Sequence, residues 1–322
     1  MDPITLLVIS SPKYPFLRFL NDLPQPVTVL TSDDLEFLKQ HAPEADVILN
    51  GFHDGALLRA ILPLATRLRW VHALSAGVEK VLTPELVESP VPLTNGRGVF
   101  GPALAEFAVA GMLFFAKDLR RLLRQQQASR WEQFDVAFLR DQTLGVIGYG
   151  GIGREVARLA HALGMQVVAL RRRAPASEND PILQRSFARE QLHEMLSICD
   201  YIVAATPHTP ETEGMLGPGE FHFMKSSAVF INVGRGAVVV ESALISALNQ
   251  GTIRGAALDV FEQEPLPPGH PFYAMENVLL SPHSADHTTG WMELAVKQFL
   301  ANYERFRSGQ PLEFVVDKSA GY

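Results

Sequence analysis

Three side chains able to transfer a proton or bind an anion follow apolar segments in the second half of the chain. Arg235 lies in the motif NVGRG, Glu264 in DVFEQEPL and His283 in SPHSA. Each motif follows or overlaps an apolar segment at its carboxyl end. In an open α/β sheet, ligands bind outside the carboxyl ends of the strands. The pattern therefore predicts that a guanidinium, a carboxylate and an imidazole meet at one site.

A glycine-rich loop, GYGGIG at 148–153, follows the apolar segment TLGVIG and opens a helix-like segment. This context is typical of a dinucleotide-binding loop, whereas the bare glycine pattern is also compatible with a simple tight turn. Gly148 would allow the tight turn, and Gly150 would allow a pyrophosphate to approach the backbone. Gly153 would let the helix pack closely on the strand. The predicted cofactor-binding residues here are Gly148, Gly150, Gly151, Ile152 and Gly153.

The end of the next predicted strand bears on the choice of cofactor. An NAD site usually has an acidic residue there, about 20 residues after the loop, bound to the ribose hydroxyls. This chain has Arg171, Arg172 and Arg173 instead, and no carboxylate before Glu178. Guanidinium groups bind phosphate bidentately, and no acid is present to repel a 2′-phosphate. Arg171 and Arg172 therefore favour NADP over NAD. The alternative is that these arginines only make the end of a strand soluble and that other contacts bind NAD.

The elements that must position these motifs alternate between short apolar strands and helices. Such alternation predicts an α/β fold class, with two Rossmann-like doubly wound domains built on parallel sheets. Strands are predicted at 4–10, 46–50, 68–74, 143–148, 165–170, 201–206, 228–233, 256–260 and 278–282, and helices around 33–41, 54–65, 151–163, 188–196 and 241–249.

The predicted domains are not both continuous in sequence. A stretch punctuated by proline and glycine at 90–102 ends the first alternation. After 288 the chain has one helix and a tail with no sheet of its own, so it is expected to pack on the N-terminal domain. The substrate domain is therefore predicted at 1–99 and 289–322, and the dinucleotide-binding domain at 100–288.

One long helix is predicted over 102–128. Its first half is apolar nearly all round and should be buried, whereas its second half alternates leucine with arginine, typical of an amphipathic surface helix. The basic face is interpreted as solvent-exposed, with a protein–protein surface as the alternative.

Composition excludes several classes of function. The 322 residues are 47% hydrophobic and 20% charged, with a net charge of −7 and no long basic run, so nucleic acid is not an expected partner. Cys199 is the single cysteine, which excludes an intramolecular disulfide and a cysteine-cluster metal site. No apolar stretch reaches the ~18 residues of a membrane span. The N-terminus lacks a basic region and a cleavage site, so we expect no membrane association and a cytoplasmic enzyme.

Taken together, these motifs resemble the D-isomer-specific 2-hydroxyacid dehydrogenase family along nearly the whole chain. Six motifs occur in the family's order. They are SAGVEKV at 75–81, the glycine loop, ATPHTPET at 205–212 and the motifs that contain Arg235, Glu264 and His283. The resemblance implies reduction of a 2-oxo acid, in which hydride reaches the carbonyl carbon and a proton reaches its oxygen. It also implies a homodimer built around the helix near 102–128 and the arm after it.

The resemblance assigns a role to each candidate site residue. His283 corresponds to the proton donor, Glu264 to its carboxylate partner, and Arg235 to the residue that binds the substrate carboxylate and polarises the carbonyl. The backbone amides of Ala76, Gly77 and Val78 resemble the family's second set of hydrogen-bond donors to that carboxylate. The remaining predicted cofactor contacts are Thr206, Pro207, Val233, Gly234 and Asp259. His208, His270 and His287 are interpreted as surface or supporting residues.

The leading hypothesis is an NADPH-preferring reductase of the glyoxylate/hydroxypyruvate type. Formate dehydrogenases carry glutamine where this chain has Glu264, so the carboxylate favours acid–base chemistry. An NAD-linked D-2-hydroxyacid dehydrogenase or short phosphoglycerate dehydrogenase is the second hypothesis. A dinucleotide-sensing corepressor or scaffold on the same fold is the third.

Overall fold

The computed structural model describes residues 3–51, 55–172 and 180–322. Strands are β1 (Ile4–Ile9), β2 (Val27–Ser32), β3 (Val47–Asn50), β4 (Trp70–Ala73), β5 (Leu93–Asn95), β6 (Thr143–Ile147), β7 (Gln166–Leu170), β8 (Leu183–Phe187), β9 (Tyr201–Ala204), β10 (Val229–Asn232), β11 (Gly255–Leu258) and β12 (Val278–Leu280). Helices are α1 (Leu35–His41), α2 (Gly55–Ile61), α3 (Pro84–Glu88), α4 (Gly101–Ala116), α5 (Leu119–Gln127), α6 (Gly151–Ala162), α7 (Leu192–Ile198), α8 (Pro218–Phe223), α9 (Glu241–Asn249) and α10 (Trp291–Arg307).

Contacts divide the chain into two compact units. Unit 1 comprises Met1–Phe100 and Thr289–Tyr322, and unit 2 comprises Gly101–Thr288. Each unit has a parallel sheet, as the alternation of strands and helices predicts. The chain is therefore an α/β protein with two Rossmann-like units, of which the first is discontinuous in sequence.

Unit 1 is a five-stranded parallel sheet in the order β2-β1-β3-β4-β5. Strands β3 and β4 are buried along their whole length, as continuous apolar strands in parallel sheets usually are. The C-terminal helix α10 packs on this unit, because Phe299 is fully buried and stacks on Trp70 of β4 with 5.2 Å between ring centroids. The tail then returns to the sheet, where the N–H of Val316 donates to the carbonyl of Leu93 at 2.8 Å.

Unit 2 is a seven-stranded parallel sheet in the order β12-β11-β10-β9-β6-β7-β8. The strand order reverses between β6 and β9, which makes the carboxyl ends of these two strands the topological switch point of the sheet. Helix α4 packs against α6 and against β10 and β11. The buried core of this unit includes Phe187, Phe221 and Phe230.

The sequence pattern does not predict three of the strands. β2 and β8 lie at sheet edges, and each has exposed positions that weaken its apolar signal. β8 has the sequence LQRSF and pairs with β7. β5 is only three residues long. Strands with one solvent-facing edge tolerate polar residues, so the apolar pattern alone does not detect them.

The single helix predicted over 102–128 is wrong. The chain forms α4 and α5, separated by Asp118 in the left-handed conformation with φ 47°. The Asp118 side chain accepts a hydrogen bond from the N–H of Arg121 at 3.3 Å and so begins the new helix. Aspartate tolerates this conformation and is a preferred N-cap residue. α4 has many buried residues and α5 has none, which agrees with the predicted difference between the two halves.

In the parts of the chain that the structure describes, no helix combines the length and the apolar composition that a membrane span needs. Within the same ranges, His, Cys, Asp and Glu side chains form no group of three or more suited to a metal ion.

Candidate active site

The predicted site segments of unit 2 all follow strands of its parallel sheet. Because the strands are parallel, their carboxyl ends lie along one edge of the sheet. Gly148 follows β6, Arg171 follows β7, Thr206 follows β9, Val233 follows β10, Asp259 follows β11, and His283 follows β12.

The glycine loop turns sharply between β6 and α6. Gly148 has φ 93°, and a Cβ atom on it would lie 2.7 Å from Cγ2 of Thr206. A Cβ on Gly153 would overlap the carbonyl of Gly148, so this glycine lets α6 approach the strand. By contrast, Cβ atoms on Gly150 and Gly151 would point into open space. The loop therefore leaves room beside the N-terminus of α6, where a phosphate group is favoured.

Two buried oxygen atoms at this sheet edge have no hydrogen-bond partner among the described residues. They are Oγ1 of Thr206 and Oδ2 of Asp259. Buried polar atoms are nearly always hydrogen-bonded in native structures. Together with the open space beside Gly150, these atoms fit a bound dinucleotide that would supply their partners.

The residues around the end of β7 form a charged cluster. The guanidinium carbons of Arg154 and Arg171 lie 5.2 and 5.3 Å from the ring centroid of Tyr149. The Tyr149 hydroxyl donates to Oδ2 of Asp180 at 2.9 Å. Arg172 is exposed, and Arg173 lies outside the described residues. Sequence reasoning missed Asp180, because it lies well beyond β7 in the chain and only the fold brings it to the glycine loop.

Asp259 fixes the turn that carries His283. Its Oδ1 atom accepts hydrogen bonds from the Ser281 hydroxyl at 2.6 Å, the Ser284 N–H at 3.0 Å and the Ala285 N–H at 3.1 Å. Asp259 is 1% exposed. His283 lies inside this turn with φ 52°, a conformation that non-glycine residues adopt rarely and only with support from their surroundings.

Glu264 and His283 are joined by a hydrogen bond of 2.7 Å between Oε2 and Nδ1. The other oxygen of Glu264 accepts the N–H of Phe261 at 2.9 Å. The hydrogen bond from the ring to Glu264 raises the pKa of His283, although partial burial opposes this. Burial acts to raise the pKa of Glu264, but hydrogen bonds from His283 and Phe261 hold that pKa below its usual value.

Arg235 is held through its own backbone and the neighbouring Asn232. Nδ2 of Asn232 donates to the carbonyl of Arg235 at 3.1 Å, and Oδ1 accepts the N–H of Gly234 at 3.1 Å. The Arg235 guanidinium donates to the carbonyl of Gly234 at 2.7 Å. Its charge also acts on both Glu264 and His283, so the three predicted residues share one electrostatic environment. Asn232 has no predicted role, although an asparagine before a glycine turn is a usable signal.

Other predicted cofactor contacts line the same sheet edge. Val233 is buried and its N–H donates to the carbonyl of Ala204 at 3.1 Å. A Cβ atom on Gly234 would lie 2.8 Å from the carbonyl oxygen of Thr206, so these two loops touch. Ile152 and Pro207 are half-buried.

The predicted substrate loop of unit 1 follows β4. The carbonyl of Ala76 accepts from Nδ2 of Asn95, and that of Gly77 accepts from the Ser75 hydroxyl at 2.7 Å. The carbonyl of Val78 accepts from the N–H of Val81 at 2.8 Å. The three carbonyl groups are thus engaged within unit 1.

Comparison with known proteins agrees with this architecture. The model of the "D-isomer specific 2-hydroxyacid dehydrogenase, NAD binding domain" family matches residues 109–285. The chain is 34% identical over 264 residues to a glyoxylate reductase of Thermococcus gammatolerans, covering 79% of this chain and 78% of that protein. It is 33% identical over 262 residues to glyoxylate/hydroxypyruvate reductase A of Photorhabdus laumondii, covering 79% and 82%.

A solved structure is similar over the full chain. It is the NADPH-dependent glyoxylate/hydroxypyruvate reductase of Sinorhizobium meliloti in complex with NADP and sulfate, with a TM-score of 0.83 and 28% identity over 100% of both chains. Fold and sequence together define an NAD(P)-dependent oxidoreductase. The chain belongs to the D-isomer-specific 2-hydroxyacid dehydrogenase family.

The hydrogen bond between Glu264 and His283 predicts how the histidine titrates. E264Q replaces the carboxylate with a neutral amide, which removes the main cause of the raised His283 pKa. We expect the midpoint of the His283 NMR titration to move to lower pH. E262Q is the matched control, because Glu262 is exposed in the same loop and does not bind the ring. An unchanged midpoint in E264Q would contradict the assigned hydrogen bond.

Proposed function

We propose that this protein reduces a small 2-oxo acid of the glyoxylate or hydroxypyruvate type to the D-2-hydroxy acid, with NADPH as the preferred reductant. The observation that carries the proposal is the 2.7 Å hydrogen bond between His283 and Glu264, beside Arg235 and Asp259 at one sheet edge. The names of the Photorhabdus and Sinorhizobium enzymes support the substrate class. We further propose that unit 2 binds the dinucleotide and unit 1 is the substrate domain.

The proposed roles follow from the chemistry of each group. When bound, the nicotinamide supplies the hydride that reaches the carbonyl carbon. Arg235 binds the substrate carboxylate and polarises the carbonyl. In unit 1, the N–H groups of Ala76, Gly77 and Val78 are the proposed substrate contacts. His283 donates a proton from Nε2 to the carbonyl oxygen, because Nδ1 is engaged with Glu264. Glu264 stabilises the protonated ring.

The raised pKa of His283 gives reduction a defined dependence on pH. The proton donor is present below its pKa and is lost as the pH rises through it. The rate of reduction should therefore fall on the alkaline side of that pKa, and oxidation of the hydroxy acid should show the opposite dependence.

The proposed cofactor contacts are those around the glycine loop. The N-terminus of α6, with Gly150, Gly151 and Ile152, would hold the pyrophosphate, and Gly148 and Gly153 shape the loop. Thr206, Pro207, Val233 and Gly234 would line the dinucleotide. Asp259 Oδ2 would accept a hydrogen bond at the nicotinamide end. Arg171 and Arg172 would bind the 2′-phosphate of NADP, a proposal that the NADP bound in the Sinorhizobium structure supports.

The protein is further proposed to be a homodimer. α5 and the arm at 128–138 expose apolar side chains, including Leu123 at 55%, Trp131 at 94% and Phe138 at 75%. Exposed apolar side chains grouped on one surface are typical of protein–protein contacts. The family resemblance indicates that a second copy of this chain covers them.

Replacing the proposed proton donor tests the reaction. H283A should lower the rate of NADPH-dependent hydroxypyruvate reduction by roughly 10²–10⁴-fold, the usual contribution of general acid catalysis. The affinity for NADPH, measured by fluorescence titration, should stay close to that of the wild type. H222A, at an exposed histidine of α8, is the control. A rate near that of the wild type in H283A would show that another group donates the proton.

Replacing the arginines after β7 tests the cofactor. The double variant R171A/R172A should weaken NADPH binding by roughly tenfold or more for each charge-assisted hydrogen bond lost, and NADH binding much less. Calorimetric Kd values for both cofactors measure the difference. R185A, at an exposed arginine of β8, is the matched control. Equal losses for the two cofactors would contradict the assignment of NADP.

The homodimer predicts a mass in solution of twice 35.5 kDa. L122D/L123D places two charges on the exposed face of α5 and should shift the mass measured by analytical ultracentrifugation towards the monomer. V87D, at an exposed valine of α3, is the control. A monomeric wild type, or a dimer unaffected by L122D/L123D, would contradict the proposed interface.

A further inference from the structure

A carboxylate outside the predicted site binds both ends of the loop that carries Glu264. We name residues 262–270 the Glu264 loop. Oε2 of Glu241 accepts the N–H of Glu262 at 3.2 Å, at the start of this loop. Oε1 of Glu241 lies 3.0 Å from Nε2 of His270, at its end. Both oxygens of one carboxylate are therefore used to close the loop around Glu264.

The histidine of this pair has a defined orientation. The N–H of Phe272 donates to Nδ1 of His270 at 3.4 Å, so Nδ1 is an acceptor and Nε2 carries the hydrogen directed at Glu241. The His270 ring packs on Phe272, with 4.9 Å between centroids, and Phe272 is 2% exposed. The end of the Glu264 loop is thus fixed to the core of unit 2.

Glu241 also belongs to the segment that carries Arg235. It is the first residue of α9, six residues after Arg235. Between them, Gly236 lies so close to the backbone of Phe261 that a Cβ atom would overlap it. The Glu241 carboxylate and the close contact between Gly236 and Phe261 therefore set the position of the Glu264 loop relative to the Arg235 segment.

We propose that Glu241 and His270 are positioning residues, which hold the Glu264 loop in the position that lets Glu264 bind His283. The inference rests on the proposed function, since it assigns these two residues to the proposed acid–base pair. Neither touches His283. Both side chains are only 15% exposed, so water competes less for their hydrogen bond than it does for an exposed one.

Unit 2 contains a matched pair for comparison. His193 Nε2 lies 3.0 Å from Oε1 of Glu220, and Oε2 of Glu220 accepts the N–H of Gly217 at 2.9 Å. The chemistry is the same as in the Glu241–His270 pair, but His193 is 48% exposed and Glu220 lies in the first turn of α8. Removal of this pair reports the general cost of losing a histidine–carboxylate contact in the unit.

The test compares H270A, H270Q and H193A in the full-length protein. Its first readout is the NMR titration midpoint of His283 without substrate, with the resonance assigned by its loss in H283A. Its second readout is kcat/KM for NADPH-dependent hydroxypyruvate reduction across pH. The charges that act on His283 come from Glu264, Asp259, Arg235 and Asp286, and none of them is changed in these variants.

We expect H270A to move the His283 midpoint to lower pH, in the same direction as E264Q, and to lower kcat/KM on the order of ten- to a hundredfold. H270Q can still donate a hydrogen bond to Glu241 and should restore most of both. H193A should change neither. A His283 midpoint in H270A equal to that in H193A would overturn the proposal.

A second variant covers the case in which H270A does not fold. E241Q keeps an acceptor for the N–H of Glu262 but presents an amide hydrogen to the N–H of His270, so it should shift the His283 midpoint in the same direction. A wild-type protein without turnover would reject the proposed function, while the NMR midpoints would still test the positioning role. Normal turnover with an unchanged midpoint in both variants would reject the positioning role alone.

Discussion

The geometry around His283 depends on one atom, Oδ1 of Asp259. A carboxylate that is 1% exposed is costly to bury unless donors compensate its charge. Three donors from the segment after β12 do so, and they fold that segment into the turn that holds His283 at φ 52°. The same carboxylate keeps Oδ2 without a partner among the described residues, which leaves it available to a bound cofactor. Asp259 therefore joins the proposed proton donor to the proposed cofactor site.

The remaining groups are arranged around this turn by loops that have little regular structure of their own. The Glu264 loop reaches His283 because Glu241 and Gly236 attach it to the Arg235 segment. Asn232 in turn uses its side-chain amide to hold the Arg235 segment at the end of β10. The contacts of Glu241 and Asn232 are hydrogen bonds, whereas that of Gly236 is a close approach of two backbone segments. The parallel sheet brings the loops to one edge, and these contacts fix the position of each loop at that edge.

Much of this arrangement could be predicted from the sequence, because apolar strands alternate with helices and each motif follows a strand. The parallel sheets, the return of α10 to unit 1 and the glycine loop before α6 all agree with that pattern. The pattern fails where a strand lies at an edge, as in β2 and β8, and where one residue interrupts a helix, as Asp118 does. The contacts Tyr149–Asp180 and Glu241–His270 were not predictable either, since they join residues 31 and 29 positions apart and depend on how loops pack. The roles of Arg235, Glu264 and His283 stay predictions, drawn from the family resemblance and supported by their proximity.

The configuration of the product tests the proposed reduction directly. Purified protein would be incubated with hydroxypyruvate and NADPH, and the glycerate formed would be resolved by chiral chromatography while NADPH consumption is followed by absorbance. We predict that one D-glycerate is formed for each NADPH consumed, at a faster rate than with NADH. Formation of L-glycerate, or no consumption of NADPH by a protein that binds it, would contradict the proposed reduction by the His283–Glu264 pair.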